Sequence, residues 1–212
     1  MFRDRVDAGS HLAQKLASLN LKNPLVLAIP RGGLVVGAQV AKALSCKLYL
    51  VTPRKLGAPA NEELAIGAVG PGGNMYVDER LARLTGADDA YLERERSRAM
   101  QEMQRRAREY GAAPLPGSLN GRTAILVDDG VATGYTMLAA ADWTKTLNPA
   151  RLVVAVPVGP SDTLKKLRKV ADEVVALIDT TLFYSVGQYY IDFTQTSDEE
   201  VKEILSGFSD NA

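Results

Sequence analysis

The stretch Thr123–Met137, TAILVDDGVATGYTM, decides the fold more than any other part of the chain. It begins with a run of apolar and β-favouring residues, continues with two adjacent aspartates, and passes through a turn rich in glycine and threonine into a helical pattern. Strands that are buried on both faces of a parallel sheet have such continuous apolar runs. The stretch therefore predicts a central strand of an open α/β sheet, with ligand chemistry at its carboxyl end.

The same alternation of apolar strands and amphipathic helices extends over the rest of the chain. Further strands are predicted at Leu25–Ile29, Leu48–Thr52, Leu152–Val156 and Glu173–Ile178. Helices are predicted over Asp7–Leu19, Leu34–Leu44, about Asp89 to Tyr110, Thr136–Leu147, Asp162–Val170 and Ser197–Leu205. This order predicts one domain over residues 1–212, an α/β fold in which helices cover both faces of a parallel sheet.

Two segments interrupt that alternation. Residues 54–77 are rich in glycine and proline around the strand-like AIGAV, and we expect them to form a hairpin or flexible flap. Residues 180–212 are expected to form a small C-terminal hood.

Composition excludes several classes of function. Lys+Arg and Asp+Glu number 25 each, so a formal net charge of 0 offers no general attraction for nucleic acid or an anionic membrane. The single Cys46 and single His11 exclude an intramolecular disulfide, a cysteine-based zinc site and a multi-histidine metal site. No apolar run approaches the roughly 18 residues of a membrane span, and the first residues lack the apolar segment of a signal peptide. We therefore expect a cytoplasmic protein.

The turn after the predicted central strand has the chemistry of a phosphate site. Loop amides and a helix N-terminus favour an anion, and glycines let a phosphate approach the backbone. Thr133 and Thr136 can donate hydroxyl hydrogen bonds to it. Asp128 and Asp129 would repel a phosphate, so they suit sugar hydroxyls or a bridging Mg²⁺, unless they only cap the helix. A ribose 5-phosphate satisfies both demands. The turn is not a P-loop, because Gly134 is followed by Tyr135 instead of lysine.

The segment ILVDDGVATGYT resembles the phosphoribosyl-pyrophosphate (PRPP) signature of the type I phosphoribosyltransferases. The resemblance implies that Asp128 and Asp129 bind the 2′- and 3′-hydroxyls of the ribose. It also implies that the PRPP 5-phosphate lies in the loop formed by Gly130, Val131, Ala132, Thr133, Gly134, Tyr135 and Thr136.

The segment IPRGG, Ile29–Gly33, is similar to the pyrophosphate loop of that family. The similarity implies that Arg31, Gly32 and Gly33 contact the pyrophosphate, and that a non-proline cis peptide lies near Pro30–Gly32. Two glycines at a helix start also form an anion-binding nest on physical grounds alone.

The segment VTPRKLGAPANEE, Val51–Glu63, is similar to the start of the flexible loop of the adenine-type enzymes. It implies that Arg54 and Lys55 reach the pyrophosphate while the loop closes over the site. The alternative is that both are solvated charges at a strand end. Glu62 or Glu63 in this loop is the candidate for proton transfer, with Glu63 preferred.

The segment FYSVGQYYIDF, Phe183–Phe193, is similar to the part of the hypoxanthine-guanine enzymes that covers the base. It implies that Phe183, Tyr189 or Tyr190 stacks on a planar base, and that Asp192 joins Asp128 and Asp129 near the metal. The alternative is that these aromatic rings fill a core beneath the terminal helix.

Together these resemblances imply that the chain transfers a phosphoribosyl group between PRPP and a nucleobase or similar nitrogen heterocycle, with Mg²⁺ and release of pyrophosphate, in a homo-oligomer such as a dimer. The opening FRDRVDAG is similar to that of a less characterised branch of predicted phosphoribosyltransferases, which supplies no substrate. Ala132 occupies the place where the hypoxanthine-guanine enzymes have an acid, so the acceptor stays open. Two alternatives are a regulator that senses PRPP or a nucleotide without turnover, and an enzyme that hydrolyses or phosphorolyses nucleotides.

Overall fold

The computed structural model describes residues 1–209. Its strands are β1 (Pro24–Ala28), β2 (Leu48–Leu50), β3 (Arg54–Ala58), β4 (Asn61–Val69), β5 (Met75–Val77), β6 (Thr123–Val127), β7 (Arg151–Pro160) and β8 (Glu173–Thr180). Its helices are α1 (Arg5–Ala17), α2 (Gly32–Ala43), α3 (Glu79–Thr85), α4 (Asp89–Glu109), α5 (Tyr135–Thr146), α6 (Ser161–Leu167) and α7 (Asp198–Ser209), with a 3₁₀ turn at Val186–Tyr189.

The main sheet is parallel and has the strand order β2-β1-β6-β7-β8. β6 is the central strand, pairs with β1 and β7, and is buried at every position. This confirms the predicted central strand, with the predicted bounds. A strand that has a neighbour on each side and helices over both faces can be almost wholly apolar. This apolar run is the reason why the sequence predicted the strand correctly.

Side chains of the central strands alternate between two apolar cores. Val26 and Ala28 of β1 belong to the core beneath α1, α2 and α7. Leu25 and Leu27 belong to the core beneath α5 and α6. This period of two follows from strand geometry, and it confirms the prediction that helices cover both faces.

The predicted flap is a folded part of a smaller lobe. β3, β4 and β5 form an antiparallel sheet that packs on α3 and α4 through a core containing Leu56, Ile66 and Met103. The exposed part is the turn between β3 and β4 together with the first four residues of β4, residues 59–64. The hairpin is as predicted, and its mobility stays a prediction. No sequence pattern indicated α3, which Asp78 caps through the N–H of Leu81.

The C-terminal segment divides into two parts instead of forming one hood. Residues near Tyr190 lie beside the N-terminus, where the backbones of Phe2 and Tyr190 form a β-bridge. α7 packs in the main core through Val201 and Leu205. Ser197 and Glu200 form the capping box that begins α7, because each accepts a hydrogen bond from the other's backbone N–H. Residues 210–212 of the predicted hood lie outside the described residues.

The long helix α4 has exposed ion pairs along its surface, including Arg96–Glu93 and Arg98–Glu95. Such mixed charge is typical of a solvated helix face. Among the helices of residues 1–209, none combines the length and apolar character needed to cross a membrane.

Candidate active site

The site lies where the strand order of the main sheet reverses. The chain leaves β1 for β2 on one side, whereas β6, on the other side of β1, leads on to β7 and β8. Open α/β sheets bind ligands at the carboxyl ends of the strands that flank such a reversal. The loops that follow β1 and β6 therefore meet at the position where a ligand is expected.

These two loops are in close contact. A Cβ atom on Gly33 would lie 2.7 Å from Asp128 Cα, and one on Gly32 would overlap the Asp129 carboxylate. At Gly33 an added Cβ atom would thus meet backbone, and at Gly32 it would require the side chains of Asp129 and Arg5 to move. The contact confirms that the predicted pyrophosphate loop and the acid pair, Asp128 and Asp129, share one edge of the sheet. The non-proline cis peptide implied by the resemblance is also present, between Pro30 and Arg31.

The helices that begin at these loops lack side-chain caps. α2 begins after Arg31 and α5 after Gly134, and neither residue's side chain accepts a hydrogen bond from the helix N-terminus. By contrast, aspartate side chains cap α1, α3 and α4. The uncapped N–H groups and helix dipoles of α2 and α5 favour an anion at the shared edge.

Two hydrogen bonds from neighbouring elements hold the loop between β6 and α5, while its threonine hydroxyls stay accessible. The N–H of buried Val131 donates to Val158 O, and Thr163 Oγ1 donates to Ala132 O at 2.7 Å. Thr133 is exposed and Thr136 is half-buried, so both hydroxyls can reach a ligand. Gly130 is buried against Val186 and Val158, and Gly134 has a positive φ of 79° that favours glycine.

The side chain of Tyr135 leaves the site. Its hydroxyl donates to Asp78 Oδ2 at 3.0 Å, and its ring packs on Tyr76. Burial and the charge of Asp78 raise the pKa of Tyr135 to about 12. The expectation that Tyr135 belongs to the phosphate loop is thus corrected for its side chain, which ties the loop to the smaller lobe. Its backbone N–H stays at the start of α5.

The two aspartates have different surroundings. Asp128 Oδ1 accepts the backbone N–H of Asp129 at 2.8 Å. Burial and the adjacent charge of Asp129 raise the pKa of Asp128, and the positive charge of Lys55 opposes this. Asp129 Oδ2 instead forms an ion pair with Arg5 Nε at 2.7 Å. One carboxylate is therefore paired with an arginine, whereas the other has no ion pair within residues 1–209 and is influenced by the charge of Lys55.

The predicted pair Arg54 and Lys55 is split by strand geometry. Successive side chains of a strand point to opposite faces, so Arg54, which is directed toward α4, and Lys55, whose charge acts on Asp128, lie on different faces of β3. There Arg54 lies 3.7 Å from Glu102 Oε1, and burial, together with nearby Arg106, lowers its pKa. The structure therefore corrects the catalytic assignment of Arg54, and that of Lys55 stays a prediction.

Arg31 has the expected backbone position, but its side chain lies elsewhere. Its Nη1 is 3.5 Å from Asp198 Oδ1 at the start of α7, and Tyr110 donates to the same oxygen at 2.7 Å. The guanidinium is thus held by α7 and is not on the acid pair. This corrects the expected side-chain contact with pyrophosphate, while the loop backbone keeps its place.

Glu63 does not lie beside the acid pair. It is exposed near the turn of the hairpin, where its N–H donates to Asn61 Oδ1. Lys55 pairs across the hairpin with Ala68. Glu63 precedes Ala68 by five residues, which corresponds to about 16 Å along a strand. Its assignment as the proton-transfer residue is thus not supported by this arrangement.

The aromatic segment supplies two stacking candidates instead of three. Tyr190 is buried between Phe2 and Phe193, at ring-centroid distances of 5.4 and 5.0 Å, and its hydroxyl donates to Asp129 O. A base cannot stack on it, which corrects that assignment. Phe183 and Tyr189 are half-buried and stack on each other at 5.9 Å, so they stay candidates.

Asp192 does not join the acid pair as a metal ligand. Its carboxylate accepts the N–H and the hydroxyl of Thr194, at 2.9 and 2.6 Å. Its own N–H donates to Arg3 O, which aligns this segment with the N-terminus. Within residues 1–209, no group of three acidic, histidine or cysteine side chains could hold a metal ion. This corrects the expected grouping of Asp192 with Asp128 and Asp129.

Arg5 is the site residue that sequence reasoning missed. Arg5 belongs to the FRDR opening. The similarity of this opening to a branch of predicted phosphoribosyltransferases implies no role for Arg3 or Arg5. A separation of 124 residues from Asp129 hides the contact from any local pattern.

Comparisons with known proteins agree with this geometry. The family model described as "Phosphoribosyl transferase domain" matches residues 3–194. A Mycobacterium tuberculosis H37Rv protein named "Putative phosphoribosyl transferase Rv0571c" is 44% identical over 207 residues, which are 97% of this chain and 46% of that protein. The chain thus spans about half the length of the curated relatives that it matches.

Solved structures share the fold. The crystal structure of the TT1426 protein from Thermus thermophilus is 45% identical, with a TM-score of 0.81 and 98% of both chains covered. The structure of the AQ2163 protein from Aquifex aeolicus is 12% identical, with a TM-score of 0.55 over 86% of this chain and 78% of that one, and it shares the fold alone. The resemblance to type I phosphoribosyltransferases is therefore confirmed, and this chain belongs to the phosphoribosyl transferase domain family.

Proposed function

We propose that this protein catalyses the Mg²⁺-dependent transfer of a phosphoribosyl group between PRPP and a nucleobase or similar nitrogen heterocycle, with release of pyrophosphate. One observation carries the proposal. The uncapped starts of α2 and α5 converge on the pair Asp128 and Asp129 at the reversal point of the sheet. Two anion sites that flank two carboxylates match a ribose with phosphate groups at both ends.

Each part of PRPP then has a place. The 5-phosphate binds at the start of α5, where Thr133 and Thr136 donate hydroxyl hydrogen bonds. The pyrophosphate binds at the backbone of Gly32 and Gly33, and the ribose hydroxyls donate to the acid pair. Lys55 faces this edge from β3 and compensates negative charge on the leaving group.

The residues fit a magnesium ion. Mg²⁺ prefers oxygen ligands, keeps several waters, and is commonly held by one or two carboxylates together with substrate phosphates. Asp128 is the suited ligand, since Asp129 already has a partner in Arg5. A nearby cation would also favour the charged form of Asp128, which burial disfavours. When bound, the ion would supply positive charge to the pyrophosphate.

The reaction requires positioning and charge stabilisation more than a protein nucleophile. The acid pair orients the ribose and eases positive charge that develops at its C1. Phe183 and Tyr189 are the candidates for stacking on the acceptor. Ala132 offers no acid beside it, so the choice of acceptor depends on ring shape and on backbone groups of the loop.

The decisive measurement is pyrophosphate release from PRPP with a panel of nitrogen heterocycles, with no acceptor, and with or without Mg²⁺. Release that needs both an acceptor and Mg²⁺ supports the proposal. Release without any acceptor indicates hydrolysis, and binding without release indicates a sensor. Asp128→Asn should abolish most of the activity, whereas Asp162→Asn is the matched control because Asp162 is 91% exposed on α6.

Binding can be followed separately by thermal unfolding. A ligand at a hundredfold excess over its dissociation constant adds about 2.7 kcal/mol to the stability of the folded state. For a chain of this size, that free energy raises the melting temperature by roughly 5–10 °C. Absence of any shift with millimolar Mg²⁺ and PRPP would show that the ligand is wrong even though the fold is right.

A further inference from the structure

Arg5 at the start of α1 is held by three partners at once. Its Nε lies 2.7 Å from Asp129 Oδ2, and its Nη1 donates to Thr194 O at 2.7 Å. Its guanidinium carbon lies 3.9 Å from the ring centre of Phe193. The contacts come from two parts of the chain that are distant from Arg5, namely Asp129 and the segment Phe193–Thr194, so they fix both the guanidinium and the carboxylate that it meets.

This ion pair differs from the surface pairs of the protein. The side chains of Arg5 and Asp129 are 11% and 15% exposed. Arg3, two residues earlier, pairs with Asp7 but is 79% exposed. Exposed pairs contribute little to stability or geometry, whereas a shielded arginine with several partners orients a carboxylate.

The pairing decides which oxygen of Asp129 can meet a ligand. Arg5 occupies Oδ2, and Gly32 approaches that same oxygen so closely that a Cβ atom would overlap it. Oδ1 is thus the oxygen suited to accept a ribose hydroxyl.

We propose that Arg5 is a positioning residue of the ribose site, which acts on the ligand through Asp129. The inference rests on the proposed function, because it names the residue that orients one of its two ribose acceptors. It also makes α1 and the segment around Phe193 part of the site, although neither follows β1 or β6 in the chain.

The test compares binding of two fragments, ribose 5-phosphate and inorganic pyrophosphate, by calorimetry in the presence of Mg²⁺. In Arg5→Gln the affinity for ribose 5-phosphate should fall roughly ten- to a hundredfold, as expected when a charge-assisted hydrogen bond is misdirected. The affinity for pyrophosphate should stay within about threefold of wild type. A change of 1 kcal/mol in binding free energy would already alter the affinity roughly fivefold. Arg5→Lys keeps the charge without the planar fork and should recover part of the loss. Arg3→Gln is the matched control and should match wild type for both fragments.

A double-mutant cycle separates positioning from general structure. If Arg5 acts through Asp129, Arg5→Gln will lower the affinity for ribose 5-phosphate no further in the Asp129→Asn background. An equal drop in both backgrounds, or a parallel loss of pyrophosphate binding, overturns the inference. If Arg5→Gln does not fold, the same comparison is made with Arg5→Lys. Wild-type protein that binds neither fragment overturns the proposed function and this inference together, whereas normal wild-type binding with an unaffected Arg5→Gln overturns the inference alone.

Discussion

The contact between the loop of Gly32 and Gly33 and the loop of the acid pair predicts that an added methyl group destabilises the fold to a different degree at each glycine. At Gly32 a Cβ atom would overlap Asp129 Oδ2 and Arg5 Nε, and would lie 2.7 Å from Asp129 Cγ. At Gly33 it would lie 2.7 Å from Asp128 Cα and 3.0 Å from Val127 O. The side chains near Gly32 can rotate away from the added methyl group, whereas the backbone near Gly33 cannot. Gly33→Ala should therefore be more harmful to folding than Gly32→Ala.

The size of the Gly32→Ala effect follows from what must move. Overpacking by one methyl group costs about 1–3 kcal/mol of unfolding free energy, which lowers the melting temperature by roughly 2–12 °C for a chain of this length. Rotation of the Asp129 carboxylate would also break its 2.7 Å ion pair with Arg5 and turn Oδ1 from the ligand. Affinity for Mg²⁺ and PRPP should consequently fall roughly ten- to a hundredfold.

Thermal unfolding with and without Mg²⁺ and PRPP measures both effects. Gly117→Ala is the matched control, because nothing lies within 4 Å of its added Cβ atom. A glycine with compatible backbone angles gains about 0.4–1 kcal/mol on change to alanine, so the control should not be destabilised. If Gly32→Ala behaves like Gly117→Ala in melting temperature and ligand affinity, the two loops are not in contact and the shared site is refuted.

Three further predictions concern the smaller lobe and its connection to the site. Tyr135→Phe should cost about 1.5–3 kcal/mol by removing the hydroxyl bond to Asp78. Wild type should lose stability between about pH 10, where the unfolded tyrosine ionises, and about pH 12, and the variant should lack that loss in urea unfolding curves. Hydrogen bonds from Arg105 and Arg106 lower the pKa of Glu102 to about 2. Its contribution is thus present above about pH 4.5 and lost as pH falls toward 2, so Glu102→Gln should flatten the loss of stability over that range in urea unfolding curves, and an unchanged acid limb would contradict this. Hydrogen exchange at residues 59–64 should slow when Mg²⁺ and PRPP bind, and equal exchange in both states would remove a lid role.

The sheet and its cores could be predicted from the sequence because their signals are local. Thr123–Val127 has the predicted bounds, since a central strand buried on both faces is almost wholly apolar, here with Thr123 as its one polar residue. β1 and β2 start or end within two residues of their predicted bounds, and β7 extends four residues further. The missed helix α3 has only seven residues, most of them charged or small, and its start depends on the Asp78 cap.

The side chains of the site were harder to predict because their partners are distant in the chain. Arg31 lies 167 residues from Asp198, and Arg5 lies 124 residues from Asp129. A long arginine side chain pairs with whichever carboxylate the fold brings near. Local sequence patterns therefore cannot predict its partner. The separation of Arg54 from Lys55 was within reach, because it follows from strand alternation once residues 54–58 are treated as a strand and not as a loop.

The helix starts of this fold divide into those with a side-chain cap and those without one. Asp4, Asp78, Asp88 and Ser197 each accept a hydrogen bond from the start of their helix. α2 and α5 have no such acceptor, and α6 also lacks one. α6 is a short helix of seven residues after a proline, whereas α2 and α5 follow the two strands at the reversal point. A cap on α2 or α5 would occupy the N–H groups that an anion needs, and its carboxylate charge would repel that anion. The capped helix starts are thus stabilised by their own side chains, whereas the two uncapped starts that meet Asp128 and Asp129 are the ones to which the proposed function assigns an anion.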